Sequence, residues 1–350
     1  MKCYYKGEKV NGLKHGKGTL YSEDGRIIYE GDFKNNLFEG TGRYNYSDGY
    51  YYIGEFQKGL KYGNGAEYYE NGNTIYEGTF VNDMKEGKGK MYNIDGAYYI
   101  GEVKKNKFNG KGTLYYNSGK IIYEGDFIDG KYEGQGKLVF PDGFYYIGEF
   151  KNGTRHGKGI IYNKNNDIIY DGDFVNDLFE GKGKYIYSDK TFYIGEFKKG
   201  LKHGKGKDYY ANGKLEYDGD YINNKKEGNG KYYSENGEYY IGQWKNDQSN
   251  GKGIVYYENG KIKYEGDCVD GKFEGKGKFY NDNGEYYVGE FKNSLRHGKG
   301  KIYYSNGEVK YDGIFILNCP VENTGLNNNL YFNIYFWNYL LTIKFQEQQK

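Results

Sequence analysis

Four histidines, a row of glutamates and a recurrent Gly-Lys-Gly are the residues in this 350-residue sequence whose types and spacing could support chemistry. His15, His156, His203 and His297 each stand immediately before a Gly-x-Gly, and Glu39, Glu86, Glu133, Glu180, Glu227 and Glu274 hold the same slot in between. Histidine near glutamate is the raw material of acid–base catalysis, and clustered histidines that of a metal site. The spacing argues against both. His156 and His203 are 47 residues apart. With two strands per repeat, that separation is ~19 Å, whereas metal donors must lie within ~2 Å of one ion. Many near-identical copies describe a ladder rather than one active site. Gly-Lys-Gly lacks the G-x-x-x-x-G-K-[ST] spacing of a phosphate loop and opens no helical pattern. No catalytic residue, metal site or cofactor is expected.

The elements that carry these residues repeat. A core Tyr-x-Gly-acidic-aromatic motif places its glycine at Gly7, Gly31, Gly54, Gly78 and onward to Gly313, at intervals alternating between 24 and 23. Gly-x-Gly follows nine residues later, as in Gly16-Lys17-Gly18 and Gly157-Lys158-Gly159, and then a turn such as Asp24-Gly25, Asn71-Gly72 or Asp142-Gly143. Asp-Gly or Asn-Gly between Tyr-rich runs signals a β-hairpin. Asn166 replaces the turn glycine once and tolerates positive φ, whereas Lys190 at another turn predicts a looser one. Gly-x-Gly is expected in the connection between strands, where backbones bend or pass closely.

A lone hairpin is unstable in water, so each unit needs its neighbours. The expected fold is all-β: an elongated, twisted single-layer antiparallel β-sheet, or β-solenoid, of about fourteen stacked hairpins, on the order of 130 Å long. The repeat array spans residues 1–315, with a divergent tail over 316–350. Its underlying period is 47 residues, because odd hairpins read Tyr52-Ile53-Gly54-Glu55-Phe56 and even ones Tyr29-Glu30-Gly31-Asp32-Phe33.

The run Tyr146-Ile147-Gly148-Glu149-Phe150 followed by Gly153, His156, Gly157 and Gly159 resembles the MORN repeat (membrane occupation and recognition nexus), in register over most of the chain. It departs in the aromatic position, where the family's usual Trp is mostly Phe, with Trp only at Trp244 and Cys268 in one repeat. The resemblance implies a non-enzymatic scaffold in cytoskeletal, ciliary or cortical assemblies, with homodimerisation an option. MORN repeats also accompany lipid kinases and SET-domain methyltransferases, but the 316–350 tail is too short for either catalytic domain.

Composition narrows the partners. Lys+Arg 50 against Asp+Glu 48 leaves no global field for nucleic acid. Cys3, Cys268 and Cys319 fit no metal or disulfide spacing, and no signal peptide is visible, so a reducing cytoplasmic setting is expected. Two rows are candidate surfaces. Phe33, Phe56, Phe80, Phe127, Phe150, Phe174, Phe197, Tyr221, Trp244 and Phe291 share a face with the motif tyrosines. A single-layer sheet should leave them partly exposed as a protein-binding groove. Arg43, Lys90, Lys137, Lys184, Lys231 and Lys278 follow Gly-x-Gly in the even hairpins. Cross-strand charge pairing is their default role, and a stripe for acidic phospholipid head groups the alternative.

At the ends, Lys9 stands where other repeats carry Phe. The segment Leu326 to Phe345 is too short and too polar for a spanning helix and is expected to cap the last strand or serve as an interfacial anchor or dimer contact.

Overall fold

The computed structural model describes residues 3–321, so the expected roles of the segment from Leu326 to Phe345 lie outside the described residues. Among these residues the protein is all-β, with 28 strands and no helix. The chain divides into two compact units, Met1–Lys226 and Glu227–Lys350. In the first, strands from Tyr4–Val10 to Leu215–Ile222 each pair antiparallel with the next in sequence. The second repeats this plan from Tyr239–Lys245 to Val309–Ile316, which pairs with the short Cys319–Pro320. Parallel pairing and closure are absent among the described residues of either unit.

The hairpin Tyr51–Gln57 and Leu60–Tyr68 shows how the residues dictate the element. Lys58 and Gly59 form the connecting turn at φ +53° and +87°. The following turn closes with the Gly72 amide donating to the Tyr69 carbonyl at 2.9 Å. Gly63-Asn64-Gly65 lies inside the second strand, not in the connection as the sequence suggested. Its two glycines do different jobs. Gly63, at φ +67°, forms a bulge, and the Glu55 carboxylate accepts the Asn64 amide there at 3.0 Å. Gly65 faces Gly54 across the strands, and the Tyr52 ring lies flat over both. The histidine slot therefore sits in a strand beside a bulge.

Because strand side chains alternate, Tyr52 and Phe56 point to one face, the front, while Tyr51, Ile53 and Glu55 point to the back. The front face holds the core. Tyr52 meets Phe56 of its own strand edge-on at 5.2 Å and Phe80 of the next hairpin at 5.0 Å, and Tyr29, Tyr123 and Tyr146 repeat the arrangement. Each such pair adds about 0.5–1.5 kcal/mol beyond its buried area. Every buried hydroxyl is satisfied locally, since Tyr52 Oη donates to the Glu55 carbonyl and Tyr146 Oη to that of Glu149. Burial pushes the Tyr76 and Tyr287 phenols up to about 12.

In most hairpins one residue roofs the core tyrosine. Phe38 stacks on Tyr29 at 4.0 Å and Phe179 on Tyr170 at 3.8 Å, while Lys202 lies over Tyr193 at 4.6 Å. These roofs let a single layer bury its aromatic row.

Successive hairpins are also tied at the turns. All six glutamates of the histidine slot accept an amide from the next turn: Glu39 from Lys58, Glu86 from Lys105, Glu133 from Asn152, Glu180 from Lys199, Glu227 from Asn246 and Glu274 from Asn293, at 2.6 to 3.2 Å. Turn residues of the even hairpins reach back reciprocally. The Asn36 amide donates to the Lys14 carbonyl, and Lys14 returns its amide to Asn36 Oδ1. Lys190, at φ +69°, holds the same turn as the glycines it replaces rather than a looser one: its amide donates to the Tyr187 carbonyl at 3.0 Å. Asp189 secures it by accepting the amide and hydroxyl of Thr191.

Candidate interaction surface

The aromatic row expected to line a groove is core instead. Phe33, Phe56, Phe80, Phe127, Phe150, Phe174, Phe197, Tyr221 and Phe291 are 0–6% exposed, and Trp244 is half-buried. Their placement on the tyrosine face agrees with the alternation. Their expected exposure does not, because the roofing residues and the next hairpin's rings cover them. Val103 and Cys268 occupy the same slot and are equally buried.

The back face carries the accessible chemistry. On it lies a second aromatic row, formed by the residue before each odd-hairpin core tyrosine. Tyr51 stacks on Tyr68 at 4.8 Å, Tyr98 on Tyr115 at 4.7 Å, Tyr145 on Tyr162 at 4.7 Å and Phe192 on Tyr209 at 4.6 Å. In the second unit Tyr239 stacks on Tyr256 at 4.5 Å and Tyr286 on Tyr303 at 4.7 Å. Sequence reasoning missed these pairs, although the Tyr-Tyr doublet was the signal: adjacent strand residues must face opposite sides.

The basic row belongs to this face. The cationic group of Arg43 lies 4.0 Å from the centre of the Tyr51 ring, Lys90 4.4 Å from Tyr98, Lys137 4.5 Å from Tyr145 and Lys184 4.5 Å from Phe192. Lys231 lies 4.6 Å from Tyr239 and Lys278 4.4 Å from Tyr286. The Tyr92 hydroxyl beside Lys90, helped by the Glu77 carboxylate, holds that ammonium above its ordinary value, as Tyr280 does for Lys278.

Across the strands Arg43 faces Glu30, Lys90 faces Glu77 and Lys137 faces Glu124, so acid and base alternate. On the other side each faces an exposed aliphatic residue: Ile53, Ile100, Ile147 and Ile194 in the first unit are 42–45% exposed. Ile241 and Val288 repeat the pattern in the second. The odd-hairpin lysines within Gly-x-Gly pair instead with the acid of the next strand, as in Lys17–Asp32 at 2.7 Å, Lys111–Asp126 at 2.6 Å and Lys158–Asp173. Such exposed pairs contribute about 0–1 kcal/mol each and hold register more than stability.

The histidines stay apart on separate hairpins, with Nδ1 of His15, His156 and His203 buried and without a hydrogen-bond partner. Among the described residues, no group of His, Cys, Asp and Glu is arranged to hold a metal ion, and no helix is long and apolar enough to cross a membrane.

Comparison with known proteins agrees with this repeat plan. The model of the MORN repeat matches twelve segments, at residues 5–25, 29–49, 76–98, 99–121, 123–144, 146–168, 170–192, 193–214, 217–239, 240–262, 264–286 and 287–309. A MORN repeat variant matches residues 61–82. No curated protein matches the chain. Among solved structures, the E1021V mutant of the TCP10 domain of Danio rerio CPAP is 11% identical, with 72% of this chain and 95% of that one covered at a TM-score of 0.21. A protein of unknown function from Bacteroides caccae is 10% identical, with 74% and 93% covered at a TM-score of 0.15.

Proposed function

Since the chain belongs to the MORN repeat family, whose repeats mediate protein or membrane interactions, we propose that it is a non-enzymatic scaffold that binds protein partners along the back face. The observation that carries this reading is the exposed Ile53, Ile100, Ile147 and Ile194 row, each isoleucine beside a cation seated on an aromatic ring. Aromatic, aliphatic and cationic groups at a fixed four-strand step of ~19 Å give a partner evenly spaced anchors. The cations are already positioned by the rings, so little side-chain freedom is lost on contact. A cytoplasmic cytoskeletal, ciliary or cortical assembly is the setting we propose.

The test is proximity labelling in the native cell, comparing the wild-type chain with Ile100→Asp, Ile147→Asp, Ile194→Asp combined. Loss of a defined set of neighbours, with folding intact by circular dichroism, is the expected result. An unchanged neighbour set would sink the back-face reading.

A second reading has its own observation, the ring-seated cations Arg43, Lys90, Lys137 and Lys184 of the first unit, with Lys231 and Lys278 placed alike in the second. They suit an acidic phospholipid surface, although the alternating acids dilute the field. Flotation with phosphoinositide-containing liposomes separates the two. Salt-sensitive binding lost on charge reversal of Lys137, Lys184 and Lys231 supports the lipid reading, and no binding removes it.

A further inference from the structure

The back-face ladder of the first unit has an order as well as a composition. Across the neighbouring strands from Ile121–Ile128 to Leu178–Ile186 it runs Glu124, Lys137, Ile147, Ile160, Asp171, Lys184, each paired with the next. Read from its other end, the same ladder runs cation, acid, apolar, apolar, cation, acid. Laid against its own reverse, it sets Glu124 against Lys184, Lys137 against Asp171 and Ile147 against Ile160. The parallel row on the other side of the ladder glycines behaves alike: Asp126 falls against Lys182 and Glu149 against Lys158, with the neutral Gln135 against Asp173. One strand further out, Lys111 falls against Glu196. Both rows are therefore complementary to themselves when reversed, whereas in the same direction every lysine would meet a lysine.

Self-complementarity on reversal is what a two-fold interface requires, because residue i of one copy meets residue j of the other and j meets i. An axis parallel to the strands, over the hairpin of Tyr145–Lys151 and Thr154–Tyr162, reverses the strand order and keeps each row facing itself. Ile147, 43% exposed, and the half-buried Ile160 then meet their counterparts at the centre. The corresponding pairs elsewhere in the first unit are Ile53 with Ala66, Ile100 with Thr113 and Ile194 with Lys207, so this hairpin has the most apolar centre. Charges surround it, as in the core and rim of a protein interface. The eight strands from Lys107–Tyr115 to Phe192–Lys198 present a face of roughly 38 Å by 23 Å, close to the ~800 Å² that each partner buries in a stable complex. Sheets packed face to face lie ~10 Å apart, a gap that a lysine and a carboxylate bridge.

We infer that a second copy of this chain docks on this part of the back face, its strand order reversed about that two-fold axis. The inference rests on the back-face reading and names the partner there. Lys137 and Lys184, seated on the Tyr145 and Phe192 rings, present their ammonium groups to the copy's Asp171 and Glu124. Lys111 and Lys158, already ion-paired with Asp126 and Asp173 of their own chain, gain a second carboxylate from the copy's Glu196 and Glu149.

The test is sedimentation equilibrium of the full chain from about 1 to about 100 µM, at about 0.15 M salt. The wild type is expected to dimerise with a Kd on the order of 1 µM. Glu124→Lys combined with Lys137→Glu keeps the facing pair within the chain but sets like charges against each other across the two-fold, and Asp171→Lys combined with Lys184→Asp does the same. Each exchange should weaken the dimer at least ~tenfold. An equimolar mixture of the two exchanged chains, or all four substitutions in one chain, restores opposite charges throughout and should return the Kd to within ~threefold of wild type. Ile147→Asp combined with Ile160→Asp should leave a monomer, with folding verified by circular dichroism. Should one exchanged chain not fold, the other is read against the chain carrying all four substitutions. A wild type that stays monomeric at about 100 µM, a dimer that the exchanges leave intact, or a loss that neither mixing nor the fourfold substitution repairs overturns the proposal. A monomeric wild type whose neighbours in the cell still depend on Ile100, Ile147 and Ile194 removes the second copy alone and leaves the scaffold reading standing.

Discussion

Tyr52 lies across Gly65 so closely that a Cβ on that glycine would stand 2.5 Å from the ring carbons Cε2 and Cζ. Real side chains do not approach so near, and the ring is walled in by Phe56 and Phe80 and cannot move aside. Gly65→Ala is therefore expected to destabilise its hairpin by about 1–3 kcal/mol, the usual cost of overpacking a close-packed site. Gly12, whose Cβ would meet nothing, sits at φ +78°, so Gly12→Ala carries only the backbone cost of ~1 kcal/mol. Amide hydrogen exchange measured hairpin by hairpin distinguishes them, because a repeat sheet opens locally rather than all at once.

The inter-hairpin carboxylates make a second prediction. Glu133 accepts the Asn152 amide of the following turn at 2.9 Å. Glu133→Ala removes the acceptor, but the exposed amide is returned to water, so the expected loss is ~0.5–1.5 kcal/mol. At tenfold per 1.4 kcal/mol, the Asn152 amide should exchange roughly 2- to 12-fold faster, with amides of distant hairpins unchanged. A uniform acceleration along the chain would show that the carboxylate does not act locally.

Lys190 is a residue whose native backbone suits glycine better. It holds φ +69°, a region that costs L-residues with a Cβ about 1–2 kcal/mol, while glycine gives back about 0.4–1 kcal/mol through its greater freedom when unfolded. Lys190→Gly should thus stabilise the turn by about 0.5–1 kcal/mol, read as slower exchange of the Thr191 and Tyr187 amides. Faster exchange would mean that Asp189 and Thr191 already relieve the strain.

The strands, the turns and the face shared by Tyr52 and Phe56 were legible because each depends on local periodicity: glycine every 23 or 24 residues and alternation along a strand. The burial of that face was not, because it depends on a third residue. Lys61, Phe108 and Arg155 look like ordinary surface positions until the register places them over a tyrosine ring. The position of Gly-x-Gly was not legible for a related reason. Either a connection or a bulge can require positive φ, and only the Glu55 to Asn64 hydrogen bond shows which one Gly63 serves. The cations from Arg43 to Lys278 were visible as a row, but the rings that hold them come from the adjacent strand, where Tyr51, beside Tyr52, points to the opposite face.

Glu67 and Asp208, three 47-residue repeats apart, interrupt a front-face row that is otherwise apolar or tyrosine in the first unit, as at Leu20, Met91, Leu114 and Ile161. Glu67 binds Lys61 at 2.6 Å and Lys85 at 2.9 Å, and Lys61 also donates to Tyr46 Oη. Burial pushes the Glu67 carboxyl up, but the Lys61 hydrogen bond and the Lys85 charge outweigh it, so the group lies below its ordinary 4.5. Its stabilisation is therefore full above pH 4.5 and is lost as pH falls through the lower folded value. Lys61 is the reverse case. Burial lowers it, its bonds to Glu67 and Tyr46 raise it further, and its contribution is full below 10.5 and fades as pH rises through the higher folded value. Glu67→Met, the side chain that stands at Met91, leaves the two lysines facing each other. It should destabilise the hairpin by about 1–3 kcal/mol at pH 7. The gap to wild type should shrink as pH falls below 4.5, since protonation removes the same charge that the substitution does. Thermal melts of both chains at pH 7 and pH 3 provide the measurement. A gap that persists undiminished at pH 3 would assign the cost to lost packing rather than to the ion cluster.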